Sequence, residues 1–303
     1  MKVLKEICLF SGAEFVLYTG TDFLVKTKED VRLLGMDGKV KARRALPVYV
    51  SKIIRGRDGT FLLLPSLFAK EAYHMSGDLK DLETIPLPTD SESYLRDGCF
   101  LVDGSFLLLA EEKTGSYLLH CRKDGDVSVL FRRDGHRWTG IRFSEFFNSA
   151  ILFSPRGKAS FLAGGCLVRE AKIPQCHTVL PLGKGNVLLA DAPLGFYLLS
   201  GTGRILKRLD FLIDKGDKTE RFAGLLLSQD CRYCLYLTRH ERGEAVYLFS
   251  TKDFSLLDYR IGMKKEIDGL YFDGRYAYLR KGSDIACCDF VEKVRPSGRR
   301  NRS

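Results

Sequence analysis

The amino-acid sequence predicts an all-β fold made of repeated four-stranded antiparallel sheets, and three observations support this prediction. A pattern of apolar strand, polar turn, second apolar strand and glycine-containing turn recurs seven times along the 303 residues. From Phe23 to Tyr276, the six intervals between copies average about 42 residues, against roughly 40–45 for a four-stranded repeat unit. The copies follow one another without a break, which favours a single domain even at this length.

Four copies of the pattern are clear and three are fainter. Each has a short apolar strand, a polar turn and a second strand with an aromatic residue near its middle, and a tight turn then leads into a third strand. The clear copies begin at Gly59, Gly104, Gly185 and Cys231, and the fainter ones begin at Asp22, Ser149 and Arg275.

Apolar runs bounded by turn residues predict the strands of the first four sheets. The first sheet begins near Glu14 and reads EFVLYTG, DFLVKTK, DVRLLGM and KVKARRALP. The second reads VYVSKIIRG, TFLLLPS, EAYHMS and LKDLETIPL. The third reads YLRDGCFLV, SFLLLAE, SYLLHCR and DVSVLFR, and the fourth reads GIRFSEFFN, SAILFS, ASFLAG and LVREAKIP.

The last three sheets are predicted in the same way, but the seventh is one strand short. The fifth reads TVLPLG, NVLLAD, GFYLLSG and RILKRLDFL, and the sixth reads FAGLLLS, YCLYLTR, AVYLFST and FSLLDYRI. The seventh offers only IDGLYFD, RYAYLRK and DIACCDF. Because an unpaired sheet edge is costly, we expect residues 3–10 (VLKEICLF) to pair beside DIACCDF. Residues 291–295 are the alternative, but they form strands less readily and Pro296 would end such a strand at once.

Asp-Gly pairs occupy many of the predicted tight turns. A type I′ hairpin turn needs positive φ at both central positions, and Asp-Gly satisfies that need. Turn chemistry therefore accounts for these aspartates better than a ring of metal ligands would. The pairs are Asp37-Gly38, Asp58-Gly59, Asp103-Gly104, Asp124-Gly125 and Asp273-Gly274.

With seven such units along nearly its whole length, the chain resembles the WD40-like and YVTN-like seven-bladed β-propellers. The resemblance is architectural, because the WD40 Trp-Asp signature is missing: the single tryptophan, Trp138, is followed by Thr139. Together with the missing strand of the seventh sheet, the repeat predicts one seven-bladed propeller domain over residues 1–290, closed by the N-terminal strand in the last blade. The Pro, Gly, Ser, Asn and Arg content of residues 291–303 predicts a basic, disordered tail. The resemblance implies a rigid disc whose faces and rim bind partners, without naming a chemistry.

Composition places the chain inside the cell. No stretch approaches the roughly 18 uncharged apolar residues that cross a bilayer, and the N-terminus carries Glu6 within its apolar part, unlike a secretory signal. The nine cysteines fall mostly in apolar strands, which is typical of reduced core residues. We therefore expect a cytoplasmic or nuclear protein without a membrane partner.

Basic residues are concentrated in the tail. The formal net charge is +10, and the tail holds five bases against one acid, so the other 290 residues carry only +6. Short Arg-rich runs are typical of nuclear-targeting or nucleic-acid contacts that neutralise phosphates. The tail therefore predicts RNA or ribonucleoprotein contacts, and a solubilising end without a partner is the alternative. Its basic residues are Lys293, Arg295, Arg299, Arg300 and Arg302.

A second candidate surface lies where the loops between consecutive sheets and the loops between second and third strands share one face. Trp and Arg are enriched among interface hot spots, so a basic, aromatic-bearing face suits an acidic protein segment or a phosphate backbone. In the alternative interpretation, Trp138 packs between sheets and the charges simply solvate loops. The predicted partner-binding residues are Arg132, Arg133, His136, Arg137, Trp138, Arg239 and Arg242.

No sequence motif names a reaction. The five histidines are scattered and none has metal-ligand spacing, and there is no nucleophile elbow, P-loop or dinucleotide fingerprint. We therefore predict no catalytic residue, metal, cofactor or small-molecule ligand. The function predicted is a non-catalytic interaction platform, a subunit of a larger assembly with an acidic or RNA-containing partner. The alternative is a propeller hydrolase or lactonase that gathers acids around a central channel, since such a set is dispersed in sequence.

Overall fold

The computed structural model describes most of the chain as β-strands and short turns. Within the described residues, no helix is both long and apolar enough to pass through a membrane. The described residues are 2–56, 58–66, 69–88, 93–135, 137–144, 149–154, 157–163, 166–172, 176–181, 187–191, 195–200, 204–209, 221–227, 233–240, 243–251, 255–263, 269–272 and 276–292.

Strand pairing groups the strands of this described part into seven four-stranded sheets. Sheet 1 contains β2 (Phe15–Tyr18), β3 (Phe23–Lys26), β4 (Asp30–Leu34) and β5 (Val40–Ala45). Sheet 2 contains β6 (Val50–Arg55), β7 (Phe61–Pro65), β8 (Glu71–Met75) and β9 (Leu82–Pro86). Sheet 3 contains β10 (Tyr94–Phe100), β11 (Phe106–Glu111), β12 (Gly115–Cys121) and β13 (Val127–Asp134). Sheet 4 contains β14 (Gly140–Ser144), β15 (Ser149–Ser154), β16 (Lys158–Ala163) and β17 (Cys166–Lys172).

The remaining sheets follow the same rule until the last one. Sheet 5 contains β18 (Cys176–Pro181), β19 (Val187–Asp191), β20 (Gly195–Leu199) and β21 (Ile205–Leu209). Sheet 6 contains β22 (Arg221–Leu227), β23 (Tyr233–His240), β24 (Gly243–Ser250) and β25 (Leu256–Met263). Sheet 7 combines β1 (Lys2–Phe10) with β28 (Asp284–Glu292), β27 (Ala277–Lys281) and β26 (Gly269–Phe272), in that order. The predicted all-β class and the four-stranded antiparallel sheets are confirmed.

The chain divides into two compact units. The larger unit comprises residues 19–222, and the smaller unit comprises residues 1–18 and 223–303. Sheets 2 to 5 belong to the larger unit. Sheet 7 and strands β23 to β25 belong to the smaller unit.

Sheets 3 and 4 of the larger unit bury both of their faces, which explains the unbroken apolar runs of their strands. In β11, Phe106 and Leu108 join a core with residues of sheet 2 such as Leu62, whereas Leu107 and Leu109 join a core with residues of sheet 4. Successive side chains of a strand point to opposite faces, so one FLLLAE strand supplies two cores. An apolar run of this kind indicates a strand that is covered on both sides.

The first strands of consecutive sheets lie beside one another in the larger unit, since β10 contacts both β6 and β14. Because the strands of each sheet are antiparallel, successive loops lie alternately at the two ends of the sheets. We call one the linker end, where loops join consecutive sheets and join second to third strands. The other, where loops join first to second and third to fourth strands, we call the Asp-Gly end.

The tight turns fall at the Asp-Gly end as predicted, but the predicted turn type is wrong. Gly38, Gly59, Gly104 and Gly125 have positive φ, whereas Leu79 is the sole non-glycine residue with positive φ in the described part of the chain. The preceding aspartates therefore do not adopt the second positive φ that type I′ requires. Each loop is a type I turn closed by a left-handed glycine.

The aspartates of these turns act locally. The Asp103 carboxylate accepts a hydrogen bond from the backbone N–H of Ser105 at 2.9 Å, and Asp58 accepts one from the N–H of Thr60 at 3.1 Å. Such bonds from a residue two positions on are typical of Asx turns. The pair Asp273-Gly274 lies outside the described residues.

In the smaller unit, β1 pairs antiparallel with β28, as predicted for residues 3–10. The register places Cys8 opposite Cys287 and Phe10 opposite Ile285. Strand β28 runs to Glu292, two residues beyond the boundary expected at Phe290, because its end also pairs with β1. Six of the cysteines are not in disulfide bonds: Cys8, Cys99, Cys121, Cys234, Cys287 and Cys288.

Mild oxidation should join Cys8 to Cys287 and thereby verify the β1–β28 register. Opposed residues of antiparallel strands have Cα atoms about 4.5–5.5 Å apart, inside the range of roughly 4.4–6.8 Å that a disulfide spans. The hydrogen bond from Cys287 lowers the pKa of the half-buried Cys8 thiol, which favours the reactive thiolate. Treatment with diamide, followed by non-reducing peptide mapping, should find this one cross-link.

The variant Cys8→Ser is the control and should show no cross-link. Burial raises the pKa of the Cys121 thiol to about 12, so Cys121 should stay reduced under the same conditions. A disulfide from Cys8 to any cysteine other than Cys287 would contradict the register.

Candidate functional site

The predicted partner-binding segment lies at the linker end of sheet 3. Arg132 and Arg133 are in the last part of β13, and Arg137 follows in the loop that leads to sheet 4. The side chain of Arg132 is 56% exposed and that of Arg137 is 65% exposed. These arginines are therefore at the surface where the sequence predicted them.

The two arginines of β13 are paired with carboxylates. The Arg132 guanidinium lies 3.4 Å from Glu112 Oε2 and 3.3 Å from Asp134 Oδ1. Arg133 donates to Glu170 on β17 of the neighbouring sheet. The positive field expected from this segment is therefore offset locally.

A third carboxylate at this end is nearly buried between two arginines. Glu111 is 7% exposed, and it accepts a hydrogen bond from Arg96 on β10. Arg137 Nε lies 3.2 Å from its other oxygen. The Arg96 guanidinium also covers the Tyr94 ring at 4.5 Å from the centroid. The linker end of sheet 3 is thus a surface of mixed charge, where the prediction expected a basic one.

Trp138 belongs to the core. Its side chain is 1% exposed, it packs against Phe131 with ring centroids 5.4 Å apart, and it joins the core cluster between sheets 3 and 4. This is the alternative that the sequence left open, in which the indole packs between sheets. The ring therefore contributes to stability and is not available to a partner at this surface.

The other predicted site residues receive no side-chain description. Arg239 lies in β23 of the smaller unit, where its backbone is opposite Glu244. His136 and Arg242 lie outside the described residues, and so do all five basic residues of the tail, Lys293, Arg295, Arg299, Arg300 and Arg302.

Sequence reasoning missed an exposed aromatic residue at the same linker end. The predicted strand VYVSKIIRG starts two residues late, at Val50, because Pro47 has no N–H to donate and the chain is still in the linker at Val48 and Tyr49. The Tyr49 side chain is 49% exposed and that of Val48 is 37% exposed. Lys26 Nζ lies 4.4 Å from the Tyr49 ring centroid, so a cation–π contact holds the ring.

Tyr49 and Val48 border a shallow cavity of about 310 Å³. Pro65 and Ala69 form part of its wall, and Tyr73 forms another part. The Tyr73 hydroxyl donates to Glu71, and burial together with that carboxylate raises the pKa of Tyr73 to about 12. The cavity is therefore mostly apolar and has a phenol that stays neutral at physiological pH.

Sequence reasoning also missed an ion triad that links three consecutive sheets. Asp97 on β10 is 2% exposed and accepts hydrogen bonds from Lys52 on β6 and Arg142 on β14, the latter at 2.6 Å. The backbone N–H of Ile141 donates to the same carboxylate at 3.1 Å. A buried carboxylate is stable only with such partners.

A sequence signal for this triad exists in hindsight. Lys52, Asp97 and Arg142 are 45 residues apart in succession, so they occupy equivalent positions in three first strands that are otherwise apolar. Spacing by one repeat places residues on neighbouring sheets, and first strands of neighbouring sheets are adjacent. A charged residue recurring at that spacing with opposite sign indicates an inter-sheet ion pair.

The Asp97 carboxylate stays ionised near neutral pH. Burial raises its pKa, but the charges of Arg142 and Lys52 and their hydrogen bonds outweigh burial and hold the pKa below its ordinary value. A carboxylate in this state does not serve as a proton donor at neutral pH. Within the residues that the structure describes, no three His, Cys, Asp or Glu side chains are grouped as metal ligands.

Comparison with known proteins identifies the fold. No protein-family model matches the chain, and no curated protein matches it. Among solved structures, the chain is similar to a catalytically inactive variant of virginiamycin B lyase from Staphylococcus aureus with quinupristin, at 12% identity and a TM-score of 0.74. That alignment covers 96% of this chain and 100% of the other.

Two further solved structures show the same architecture. The β-propeller domain of Cps50 (Swd1) from Myceliophteria thermophila is 10% identical with a TM-score of 0.69, and the alignment covers 95% of this chain and 100% of that one. The C-terminal WD40 domain of Sif2 is 11% identical with a TM-score of 0.65, covering 97% and 99%. Identities this low establish the fold alone, which is that of a β-propeller.

Replacing Asp97 with Asn should destabilise the protein by about 2 kcal/mol, because two cations would lose their buried counter-charge. That figure is below the usual loss for a fully buried pair, since Lys52 and Arg142 are 40% and 33% exposed. Lys52→Met should cost about half as much, because Arg142 still neutralises Asp97. Urea denaturation measures both free energies of unfolding.

The loss should also depend on pH. A carboxylate with a lowered pKa in the folded state stabilises the fold above its unfolded pKa, about 3.9, and this contribution disappears as pH falls through the folded pKa. The difference between the wild type and Asp97→Asn should therefore be constant from about pH 5 to 8 and shrink below about pH 4. A difference that grows on acidification would disprove this role for Asp97.

Proposed function

We propose that this chain is a β-propeller interaction platform that binds a protein partner at the linker end of its larger unit. The observation that supports this most directly is the half-exposed Tyr49 beside an apolar cavity of about 310 Å³. Partner-binding hot spots are enriched in Tyr and Arg and are centred on pockets that an apolar anchor can fill. Tyr49 and its cavity would receive such an anchor.

The arginines of sheet 3 would supply the polar part of the interface. Arg132 and Arg137 are more than half exposed, and their carboxylate partners are on the same surface. The exposed pair between Arg132 and Asp134 contributes at most about 1 kcal/mol, and the nearly buried Glu111 keeps Arg96 as a partner when Arg137 turns away. Exchanging an internal carboxylate for one from a partner therefore has a small penalty. This favours a partner segment that combines an apolar anchor with acidic side chains.

The WD40-type structures among the similar folds favour a platform over an enzyme. A platform of this kind would serve as one subunit of a larger assembly. His136 remains a predicted member of this binding surface, together with Arg132, Arg133 and Arg137. Arg239 and Arg242 remain predicted partner-binding residues within the smaller unit. An intracellular location is part of the same proposal.

The proposal includes one closed ring of seven blades in residues 1–290. The pairing of β1 with β28 supports it, because the N-terminal strand completes the last sheet and covers the edge of β28. The oxidative cross-link between Cys8 and Cys287 tests the pairing on which closure depends.

A channel enzyme is the second candidate, and the likeness in fold to a virginiamycin B lyase variant is what favours it. Such an enzyme would use acidic groups on first strands, where Asp97 lies. An activity that Asp97→Asn removes while the fold is retained would support this candidate against the platform.

Changing Tyr49 should release the partner. Tyr49→Ala removes the exposed ring and should reduce co-purification of the main partner at least tenfold, and Arg137→Glu should reduce it several-fold by adding negative charge. Quantitative affinity purification of tagged variants, with recovered proteins identified by mass spectrometry, provides the measurement. Because Tyr49 is half exposed, thermal unfolding of Tyr49→Ala should change little. Arg137→Glu also brings a second carboxylate near Glu111, so its thermal unfolding should shift downward and is measured alongside binding.

Lys39→Glu is the matched control for this experiment. Lys39 lies at the Asp-Gly end with its side chain 85% exposed. Lys39→Glu therefore changes the net charge by the same amount as Arg137→Glu, but at the opposite end of the sheets. If Tyr49→Ala and Lys39→Glu retain the partner to the same extent as wild type, the linker end is not the binding surface.

The tail over residues 291–303 carries a separate prediction of RNA binding. Deleting the residues after Glu292 removes all five bases, Lys293 to Arg302, and leaves the whole of β28 in place. Filter binding to a single-stranded RNA across a salt series should show weaker binding after deletion and a shallower salt slope, since fewer phosphates are neutralised. Equal affinity with and without these residues would rule out the tail as an RNA-binding element.

A further inference from the structure

An apolar cavity of about 420 Å³ lies between sheets 3 and 4 and opens toward the Asp-Gly end. Its walls include Leu107 and Leu118 of sheet 3 and Phe143 and Leu162 of sheet 4. Its size and mostly apolar lining match those of small-molecule sites, which range over about 300–1,000 Å³. No small-molecule ligand was predicted from the sequence, and the proposed partner-binding surface does not include this cavity.

The cavity exists because the repeat changes at one position. Between sheets 2 and 3, Phe100 and Phe106 pack against His74, with ring centroids 6.3 and 5.9 Å from the imidazole. Phe100 and Phe106 form the last pair of β10 and β11 before their connecting turn. The positions of sheet 4 that are equivalent to Phe100 and Phe106 lie outside the described residues. The pair equivalent to Gly98 and Leu108 is Phe143 and Ala150, because Asp97 is opposite Leu109 and Arg142 is opposite Ile151. The leucine that packs toward the preceding sheet in sheet 3 is thus an alanine in sheet 4, on the wall of the cavity.

The mouth of this cavity carries a defined hydrogen-bond chain. His120, which is equivalent to His74 in the register, and Asp103 both line the cavity. Ser105 Oγ–H donates to Asp103 Oδ1 at 2.6 Å, and His120 Nε2 lies 3.0 Å from Ser105 Oγ. Because the single hydroxyl proton of Ser105 goes to Asp103, His120 Nε2–H must donate to Ser105 Oγ.

The hydrogen bonds among His120, Ser105 and Asp103 determine which polar groups the cavity mouth presents to a ligand. In neutral His120, Nδ1 is then an acceptor, and Asp103 adds an anionic carboxylate. The hydrogen bond from Ser105 lowers the pKa of Asp103, and the nearby charge of Lys123 lowers it further. Since Lys123 already offsets the carboxylate, the mouth favours a neutral hydrogen-bond donor over an ammonium group, and it disfavours another carboxylate.

We propose that the cavity between sheets 3 and 4 binds a small apolar alcohol, with its chain among the leucines and its hydroxyl donating to the His120–Asp103 mouth. The ligand is a compact aliphatic or aromatic molecule with one hydroxyl group. The site is distinct from the linker end, so it can be correct whether or not the platform proposal holds.

The single tryptophan makes this site directly measurable. Trp138 is the one tryptophan of the chain and belongs to the same core cluster as Leu107, Leu118 and Leu162 of the cavity wall. Titration of the full-length protein with 1-octanol should give a saturable change in Trp138 emission. Heptyl methyl ether, which has the same number of heavy atoms and no donor, should bind at least tenfold more weakly, and octanoate should bind more weakly still.

Two variants and a matched control complete the test. Ala150→Leu extends a side chain from the cavity wall and should weaken octanol binding at least tenfold, while circular dichroism confirms the fold. His120→Asn should reduce the preference for octanol over the ether. His74→Asn, at the equivalent position beside the filled interface, should leave binding unchanged.

Three outcomes would overturn the proposal. One is the absence of a saturable emission change up to the solubility of octanol. Another is equal octanol affinity in the folded Ala150→Leu variant and wild type, which would place binding elsewhere. The third is equal affinity for octanol and the ether in wild type, since the mouth would then play no part in recognition.

Discussion

The structure of the larger unit depends on one constraint: each of its inner sheets must be covered on both faces. Phe106 and Leu107 are adjacent in sequence, yet one packs toward sheet 2 and the other toward sheet 4. A four-stranded sheet with two apolar faces is unstable alone, because both faces would meet water. Each inner sheet is therefore stabilised by its two neighbours, and the stability of the unit comes from the contacts between consecutive sheets.

The same constraint decides where polar groups can lie. A charge on a strand covered on both sides must find its partner on a neighbouring sheet, and Asp97 does so through Lys52 and Arg142. The triad ties sheets 2, 3 and 4 together at their first strands. Many other polar groups lie where they meet water, at the ends of the sheets or on outer strands such as β5. Local departures from the repeat have visible effects, as where Ala150 takes the place of Leu108 on the wall of a cavity.

Most of the fold could be predicted from the sequence, because strands and turns are written in local patterns. Apolar runs located the strands to within a few residues, and Asp-Gly pairs located the turns. The predicted turn type was wrong because the length of the loop, three residues, determines the φ of the aspartate. The Asp-Gly dipeptide alone does not reveal that length. The pairing of residues 3–10 with β28 could be predicted because an open edge is costly wherever it occurs.

The site could be predicted only in part, since it depends on contacts between residues far apart in sequence. The positions of Arg132 and Arg137 at the surface followed from their loop, but their pairing with Glu112 and Glu111 requires the register of sheet 3. Burial of Trp138 is decided by sheet 4, which closes over it. Tyr49 was placed in a strand because aromatic residues favour strands, whereas the path of the linker leaves it outside.

The polar groups at the two ends of the larger unit find their hydrogen-bond partners in different ways. This difference supports a different proposed role for each end. At the Asp-Gly end, Asp58 and Asp103 accept bonds from residues two positions away, so short turns satisfy themselves and leave a rigid rim around the cavity. At the linker end, Arg133 reaches Glu170 on the neighbouring sheet, and exposed pairs of this kind exchange partners readily. A rigid rim suits a small ligand that needs a preformed pocket, while an exchangeable surface suits a protein that must displace existing contacts. The loop chemistry that follows from strand order thus supports both proposals, a small-molecule site at the Asp-Gly end and a protein-binding site at the linker end.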